Sequence, residues 1–225
     1  MSQTLRETVS VPPTADGGFD APRVMVADKG HPRRGAIERF IEARYQTAFG
    51  ARGLSHYPLL AALRGADGAI RAAAGVRFAA HEPLFLERYL DQPVEQVVAE
   101  AFARPVARAS IVEVGSLASD SPVASLELFA TLSTLLPPAC HRGVAVLTAR
   151  PELALVLGRA GFELKPLGPA DPARLGGRAV DWGSYYDAAP NVYSLELAGS
   201  PALARLRRKL GGPRAAPEAA LRRAC

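Results

Sequence analysis

The sequence predicts an α/β fold in which helices flank a central mixed sheet. Two apolar runs, at 109–118 and 143–148, are each followed by a stretch with helical periodicity. A strand–helix–strand order of this kind predicts a parallel pair of strands in a layered sheet. Asp67-Gly68 lies between two further apolar segments, which is typical of a tight antiparallel hairpin. Because the hairpin precedes the parallel pair, the sheet is expected to be mixed.

Local patterns place the remaining elements. Asp91 and Pro93 separate two apolar groups, so two short helices are expected within 83–103. Pro122 and Pro151 each stand at the start of a segment with helical spacing. In chain order we expect a strand at 23–27, a helix at 36–49, hairpin strands at 59–65 and 69–79, the two short helices, a strand at 109–118, a helix at 122–136, a strand at 143–148, a helix at 151–160, and strands at 162–165 and 192–197.

Length and charge divide the chain into three parts. The 225 residues are 48% hydrophobic, which suits one domain with a sizeable core. Residues 1–20 mix Pro and Gly with few large apolar side chains and predict a loose leader, and 21–198 form the predicted domain. The net charge of +5 comes from residues 199–225, which include seven basic residues and one acid and are expected to form a disordered or helical tail. The near-neutral body argues against nucleic acid as a partner.

Cysteine use and hydropathy indicate a cytoplasmic protein. The two cysteines are Cys140 and Cys225, and the second is the last residue, so a structural disulfide is not expected. The first 20 residues lack the apolar core of a signal peptide. No apolar run approaches the roughly 18–20 residues of a membrane span.

Several stretches resemble known sequences. "GVAVLTARPELALVLGRAGF" (143–162) looks like the fifth strand, fourth helix and closing Gly-Phe of the GNAT acyltransferase fold. "FIEARYQTAFGA" (40–51), "LFLERYLDQPVE" (84–95), "IVEVGSLAS" (111–119) and "DWGSYYDAAPNV" (181–192) together resemble the thermostable haemolysin family. The resemblance covers residues 23–198. It implies a three-layer GNAT-like fold, distantly similar to acyl-homoserine-lactone synthases.

The resemblance implies transfer of an acyl group from a thioester to the amine of a small molecule. The thioester is carried by CoA or an acyl carrier protein as a cosubstrate, and no tightly bound cofactor is expected. The family name implies membrane lysis instead, and the Arg-rich tail at 203–210 could contact anionic lipid. A third reading is a non-catalytic module that binds an acyl ligand.

In the GNAT fold the thioester lies between the fourth and fifth strands. The resemblance makes 111–118 the fourth strand. It assigns thioester contacts to the backbone at the end of this strand and at the start of the next helix. These positions are Leu117, Ala118, Ser119, Ser121, Ala124 and Ser125. The loop "SDSPVAS" departs from the usual phosphate-binding pattern because it has no Gly, contains Pro122 and places Asp120 where phosphate would lie. Asp120 or Ser121 is also an ordinary helix cap.

Three residues are candidates for proton transfer. Glu113 is the acid in the central strand, and burial among apolar neighbours would raise its pKa and suit it to act as a general base. The alternative is a solvent-facing Glu or one paired with Arg77. GNAT enzymes carry a Tyr four residues before the Gly-Phe, but Leu157 stands there. Tyr185 and Tyr186 are therefore the candidates to protonate the leaving thiolate.

The remaining candidate residues would bind substrate. Arg77 and Arg88 can hold a carboxylate through paired hydrogen bonds, although Arg88 also reads as a solvated helix residue. Trp182 and the neighbouring tyrosines suit a binding wall or an anchor for the last strand. Ser116 completes the predicted set. The histidines are isolated in the sequence and show no metal-ligand spacing, so no metal is expected.

Overall fold

The computed structural model describes residues 24–140, 143–197 and 221–222. Seven strands lie in these residues: β1 (Val24–Ala27), β2 (Leu59–Arg64), β3 (Ile70–Phe78), β4 (Ile111–Ser119), β5 (Val144–Ala149), β6 (Lys165–Pro169) and β7 (Asn191–Glu196). They form one mixed sheet in the order β1-β2-β3-β4-β5-β7-β6. Only β4 and β5 are parallel to each other, and every other neighbouring pair is antiparallel. The predicted hairpin and parallel pair are both confirmed.

Helices cover both faces of the sheet, which confirms the three-layer α/β architecture. The α-helices are α1 (Arg34–Phe49), α2 (Val94–Phe102), α3 (Pro122–Cys140) and α4 (Pro151–Arg159). Three 3₁₀ segments join them: Phe85–Tyr89, Arg108–Ser110 and Pro172–Ala188. Apolar residues of α3 and α4 share one buried cluster with alternate residues of the strands. α1, α2 and the 3₁₀ segments cover the opposite face.

The short-helix prediction for 83–103 is confirmed as one 3₁₀ segment followed by α2. The predicted strand at 162–165 is wrong, because β6 runs from Lys165 to Pro169. Phe162 is instead a core residue, whose ring lies 5.1 Å from that of Phe129. β6 pairs only with β7 and is an edge strand. An edge tolerates Pro166 and Pro169, which donate no backbone hydrogen bond.

The predicted leader at 1–20 lies outside the described residues, as does nearly all of the predicted tail at 199–225. Leu221 and Arg222 are described and helical. Leu221 is fully buried in the cluster that contains α3 and α4 residues. The chain therefore returns to the body of the domain at this position. Among the described helices, none has the length and apolar character needed to cross a bilayer.

Gly158, in the last turn of α4, offers a test of the helix assignment. A Cβ at this position would have no heavy atom within 4 Å, and the residue is exposed. Gly158→Ala is expected to raise the free energy of unfolding by about 0.5–1 kcal/mol, because alanine has the higher helix propensity. Gly161→Ala is the control: its φ of +91° disfavours a side chain, so a loss of roughly 1 kcal/mol is expected. Urea denaturation measures both, and a loss at Gly158 contradicts the assignment.

Candidate active site

The sheet splits where β4 and β5 diverge. Their parallel pairing covers only Ile111–Glu113 on β4 and Val144–Val146 on β5. Both strands continue beyond this point, β4 beside β3 and β5 beside β7. Their facing edges therefore carry backbone groups that do not pair with each other, and these groups are available to a ligand.

A β-bulge lies in β4 next to the split. Gly75 pairs with Gly115 and Ala73 pairs with Ala118, so β4 contains one more residue than β3 between these pairs. The bulge contains Ser116, whose φ of +48° is uncommon for a residue with a side chain. The bulge begins two residues after the last β4–β5 pair, at the point where the parallel pairing has ended. Backbone in this conformation is often associated with function.

A cavity of about 60 Å³ lies in the split between β4 and β5. Val114, Gly115 and Leu117 line it from β4, and Leu147 and Thr148 line it from β5. The remaining lining residues come from the surrounding helices, the last 3₁₀ segment and the β5–α4 connection: Tyr45, Phe49, Phe129, Arg150, Leu153 and Tyr185. The lining is mostly apolar. Thr148 is one of its polar residues, and its Oγ1 is buried without a hydrogen-bond partner in the described part of the chain.

Aromatic side chains close the α1 side of this cleft. The Tyr185 ring lies 5.2 Å from that of Phe49 and 6.0 Å from that of Tyr45, both on α1. Trp182 lies 5.5 Å from Tyr185, and Tyr186 lies 5.1 Å from it. Burial raises the pKa of Tyr185 well above its ordinary value, so its hydroxyl keeps its proton at neutral pH. The hydroxyl lies 3.5 Å from the carbonyl oxygen of Thr148.

Glu113 is buried next to the cleft, on the face of β4 that carries the aromatic residues. Its side chain accepts hydrogen bonds from Tyr57 Oη (3.0 Å) and from the backbone N–H groups of Phe85 (2.8 Å) and Leu86 (3.1 Å). Only 1% of the residue is exposed. Burial raises its pKa to about 7, while the three hydrogen bonds and the nearby charge of Arg77 favour the ionised form. The carboxyl therefore changes protonation near neutral pH.

Two glycines make room for the tyrosine that reaches Glu113. A Cβ at Gly75 would lie 2.3 Å from Tyr57 Cγ, and a Cβ at Gly115 would lie 2.0 Å from Tyr57 Oη. Neither distance is possible for real atoms, so the Tyr57 ring lies directly on bare backbone of β3 and β4. Arg77 covers the ring, with its guanidinium carbon 4.9 Å from the ring centroid. Tyr57 Oη thus bridges buried Glu113 and cleft-lining Gly115.

Residues 27–200 match the sequence profile described as thermostable hemolysin. The chain belongs to the thermostable hemolysin family. No curated protein sequence matches it significantly.

Solved structures with the same fold are acyl-transferring enzymes. BjaI, a CoA-dependent acyl-homoserine lactone synthase solved with SAM and isopentyl-CoA, has a TM-score of 0.58 and 13% identity, and the match covers 91% of this chain and 100% of BjaI. FeeM, an N-acyl amino acid synthase from uncultured soil microbes, has a TM-score of 0.52 and 16% identity, covering 80% of this chain and 93% of FeeM. The acyl-homoserine lactone synthase LasI has a TM-score of 0.53 and 13% identity, covering 87% of this chain and 98% of LasI. At these identities the likeness establishes the GNAT-like fold.

The predicted thioester contacts of this hemolysin-family chain lie at and beyond the bulge. Leu117 lines the cleft, whereas Ala118 is buried. Ser119 Oγ is hydrogen-bonded to Ser125 Oγ (2.6 Å). Ser121 Oγ accepts the Ala124 N–H (3.2 Å), which makes Ser121 the cap of α3. Leu117 thus lines the cleft and Ser116 lies next to it in the bulge, whereas Ala118 and Ser119 end β4 and Ser121, Ala124 and Ser125 lie at the start of α3.

The predicted substrate-binding arginines lie away from the cavity. Arg77 donates to the Pro83 carbonyl (3.2 Å) and lies 3.5 Å from Glu82. Arg88 is exposed above the Phe85 ring. Tyr186 Oη is hydrogen-bonded to Tyr89 Oη, and Trp182 packs among the aromatic rings. Of the predicted side chains outside the strands, Tyr185 is the one that lines the cleft.

Sequence patterns gave no sign of several cleft residues. Tyr45 and Phe49 read as ordinary core positions of an amphipathic helix, and Tyr57 stands in a loop without periodicity. Arg150 precedes Pro151, so a charged residue before a helix start was its only signal. In the described part of the chain, no group of three or more His, Cys, Asp or Glu side chains is placed to hold a metal ion.

Proposed function

We propose that this chain is an N-acyltransferase that moves an acyl group from a thioester, carried by CoA or an acyl carrier protein, to the amine of a small molecule. The observation that carries the proposal is the divergence of β4 and β5 around an apolar cleft. The chemistry of such a split suits an extended thioester arm, because amides can pair with the unpaired strand edges and carbon chains can pack against the apolar lining. The shared fold of acyl-transferring enzymes supports the same reading.

Glu113 is the proposed general base, and Tyr57 connects it to the cleft. Neither Glu113 nor Tyr57 lines the cavity, but Tyr57 Oη lies against the backbone of Gly115, which does. In the proposed step, the acceptor amine attacks the thioester carbonyl while its proton passes to Tyr57 Oη. The Tyr57 proton passes to Glu113 Oε1 over the 3.0 Å hydrogen bond. A carboxyl with a pKa of about 7 is ionised in a large fraction of molecules at neutral pH.

Tyr185 is the proposed acid for the leaving thiolate. Its protonated hydroxyl lines the cleft, and Leu157, at the position where the sequence resemblance expects a tyrosine, is fully buried in the opposite cluster. Tyr186 and Trp182 form the wall behind Tyr185 and shape the acceptor side. Arg77 and Arg88 act at most indirectly, through the Tyr57 and Phe85 rings that they cover.

Thiol release tests the proposal. The purified chain is incubated with acyl-CoA donors from two to sixteen carbons and a panel of primary amines, and free thiol is measured with Ellman's reagent. Tyr185→Phe is expected to lower kcat about 100-fold, the usual contribution of a positioned acid. Tyr193→Phe, at a half-buried position of β7 outside the cavity lining, is the matched control and should retain activity. If no donor is cleaved and native mass spectrometry detects no bound thioester, the proposal fails.

A further inference from the structure

Arg150 stands at the mouth of the cleft, between the end of β5 and the start of α4. It is the one charged residue among those that line the cavity. Its guanidinium carbon lies 4.9 Å from the centroid of the Phe49 ring, and about 25% of the side chain is exposed. Stacking on an aromatic face fixes the plane of a guanidinium and leaves its N–H edges free to meet a flat anion.

The charge of Arg150 is poorly compensated within the protein. Arg150 is the N-cap residue of α4 and makes no side-chain capping hydrogen bond. A cation at this end of a helix adds to the positive end of the helix dipole, which is unfavourable without an anion nearby. Glu152 approaches at 3.3 and 3.5 Å, but it is 68% exposed. These distances exceed the roughly 2.7–2.9 Å of strong charge-assisted pairs, so a better-placed anion can compete.

The charged groups after β4 already have partners within the protein. Asp120 follows β4, and Pro122 offers no N–H at the start of α3. Arg71 lies 3.2 Å from Asp120 and 2.7 Å from Asp67, so two carboxylates already neutralise it. Arg44 Nε donates to the Ser119 carbonyl (2.7 Å). Neither Arg44 nor Arg71 lines the cavity, so Arg150 is the cation that a ligand in the cleft meets.

We propose that Arg150 forms an anion-binding subsite at the cleft mouth, which takes a carboxylate or phosphate carried by a substrate of the acyl transfer. Thr148, near the end of β5, also lines the cavity, and its buried Oγ1 has no hydrogen-bond partner in the described part of the chain. The proposal rests on the proposed function in that the anion belongs to a substrate of the same cleft. Two sources have the required chemistry: the carboxylate of an amino acid acceptor and a phosphate of the CoA or carrier-protein donor.

Paired probes distinguish the two sources. Binding is followed by the fluorescence of Trp182, the only tryptophan, whose ring lies 5.5 Å from that of cleft-lining Tyr185. CoA is compared with pantetheine, which lacks phosphate. Each of the standard amino acids is compared with its amide, which lacks the carboxylate. The variants are Arg150→Gln and the control Arg159→Gln, an exposed arginine on the same helix.

Wild-type protein and Arg159→Gln are expected to prefer the charged member of one pair by at least ~10-fold, as one charge-assisted contact predicts. Arg150→Gln is expected to abolish that preference. Preference for CoA identifies the donor phosphate, and preference for the amino acid identifies the acceptor carboxylate. The subsite is overturned if wild type shows neither preference, or if Arg150→Gln keeps it. The measured quantity is binding and does not depend on catalysis. If the protein binds anions through Arg150 but releases no thiol, the proposed acyl transfer is disproved and the anion-binding subsite is not.

Discussion

Gly75→Ala is expected to lower the free energy of unfolding by about 3 kcal/mol, at the upper end of what overpacking a core costs. The new Cβ would lie 2.3 Å from Tyr57 Cγ, 2.4 Å from Cδ2 and 2.7 Å from Cβ. A contact with the base of the side chain cannot be relieved by turning the ring, so the backbone at Tyr57 must move. That movement also withdraws Oη from Glu113 and leaves a buried carboxyl without one of its donors.

A double-mutant cycle with Tyr57→Ala shows whether the ring is the cause. Tyr57→Ala alone removes a buried ring and is expected to cost about 3–5 kcal/mol. In that background Gly75→Ala should cost much less than in wild type, because the atoms that it meets are gone. Gly143→Ala is the control, since a Cβ there would have no heavy atom within 4 Å; it should stay within about 0.5 kcal/mol. If the losses from Gly75→Ala and Tyr57→Ala in urea denaturation are additive, a side chain at position 75 does not meet the Tyr57 ring.

Local chemistry made most of the fold predictable. The Asp67-Gly68 turn, the proline at the start of α3 and α4, and the apolar runs of β4 and β5 each specify an element through neighbours in sequence. The prediction of a strand at 162–165 was wrong for a physical reason. Phe162 is apolar because it packs against Phe129 in the core, and it does not belong to the sheet. β6 could not be recognised, since an edge strand containing two prolines has neither alternation nor apolar character.

The site was less predictable because its parts meet only through tertiary structure. Glu113 was identifiable as the single acid in an apolar strand, and Tyr185 belongs to an aromatic run. Their partners carry no such signal. Tyr57 reaches Glu113 across 56 residues of sequence, and the reason for Gly75 and Gly115 is a ring from another segment. The role proposed for Arg150 depends on its stacking on Phe49, which lies about 100 residues earlier in the sequence.

Glu113→Gln is expected to remove a large pH dependence of stability. The unfolded carboxyl ionises near pH 4.5, whereas burial raises the pKa of the folded carboxyl to about 7. Between these values the folded state holds a proton that the unfolded state has lost, so wild-type stability falls as the pH rises through this window, by about 3 kcal/mol. Glutamine does not ionise, so the variant should lack this slope. Exposed Glu163→Gln should retain the wild-type slope.

The same substitution shows whether Glu113 acts as a general base or only as a buried structural residue. Urea denaturation at pH 5 to 8 gives the stability, and thiol release over the same range gives kcat/KM. If Glu113 is the base, wild-type activity rises with pH through about 7, while stability falls, because both follow ionisation of one carboxyl. Glu113→Gln should then remain folded at pH 8 but lose activity by at least about 100-fold, and Tyr57→Phe should lose activity with it. A folded, active Glu113→Gln protein would show that the carboxyl only anchors the Phe85–Tyr89 segment through the N–H groups of Phe85 and Leu86.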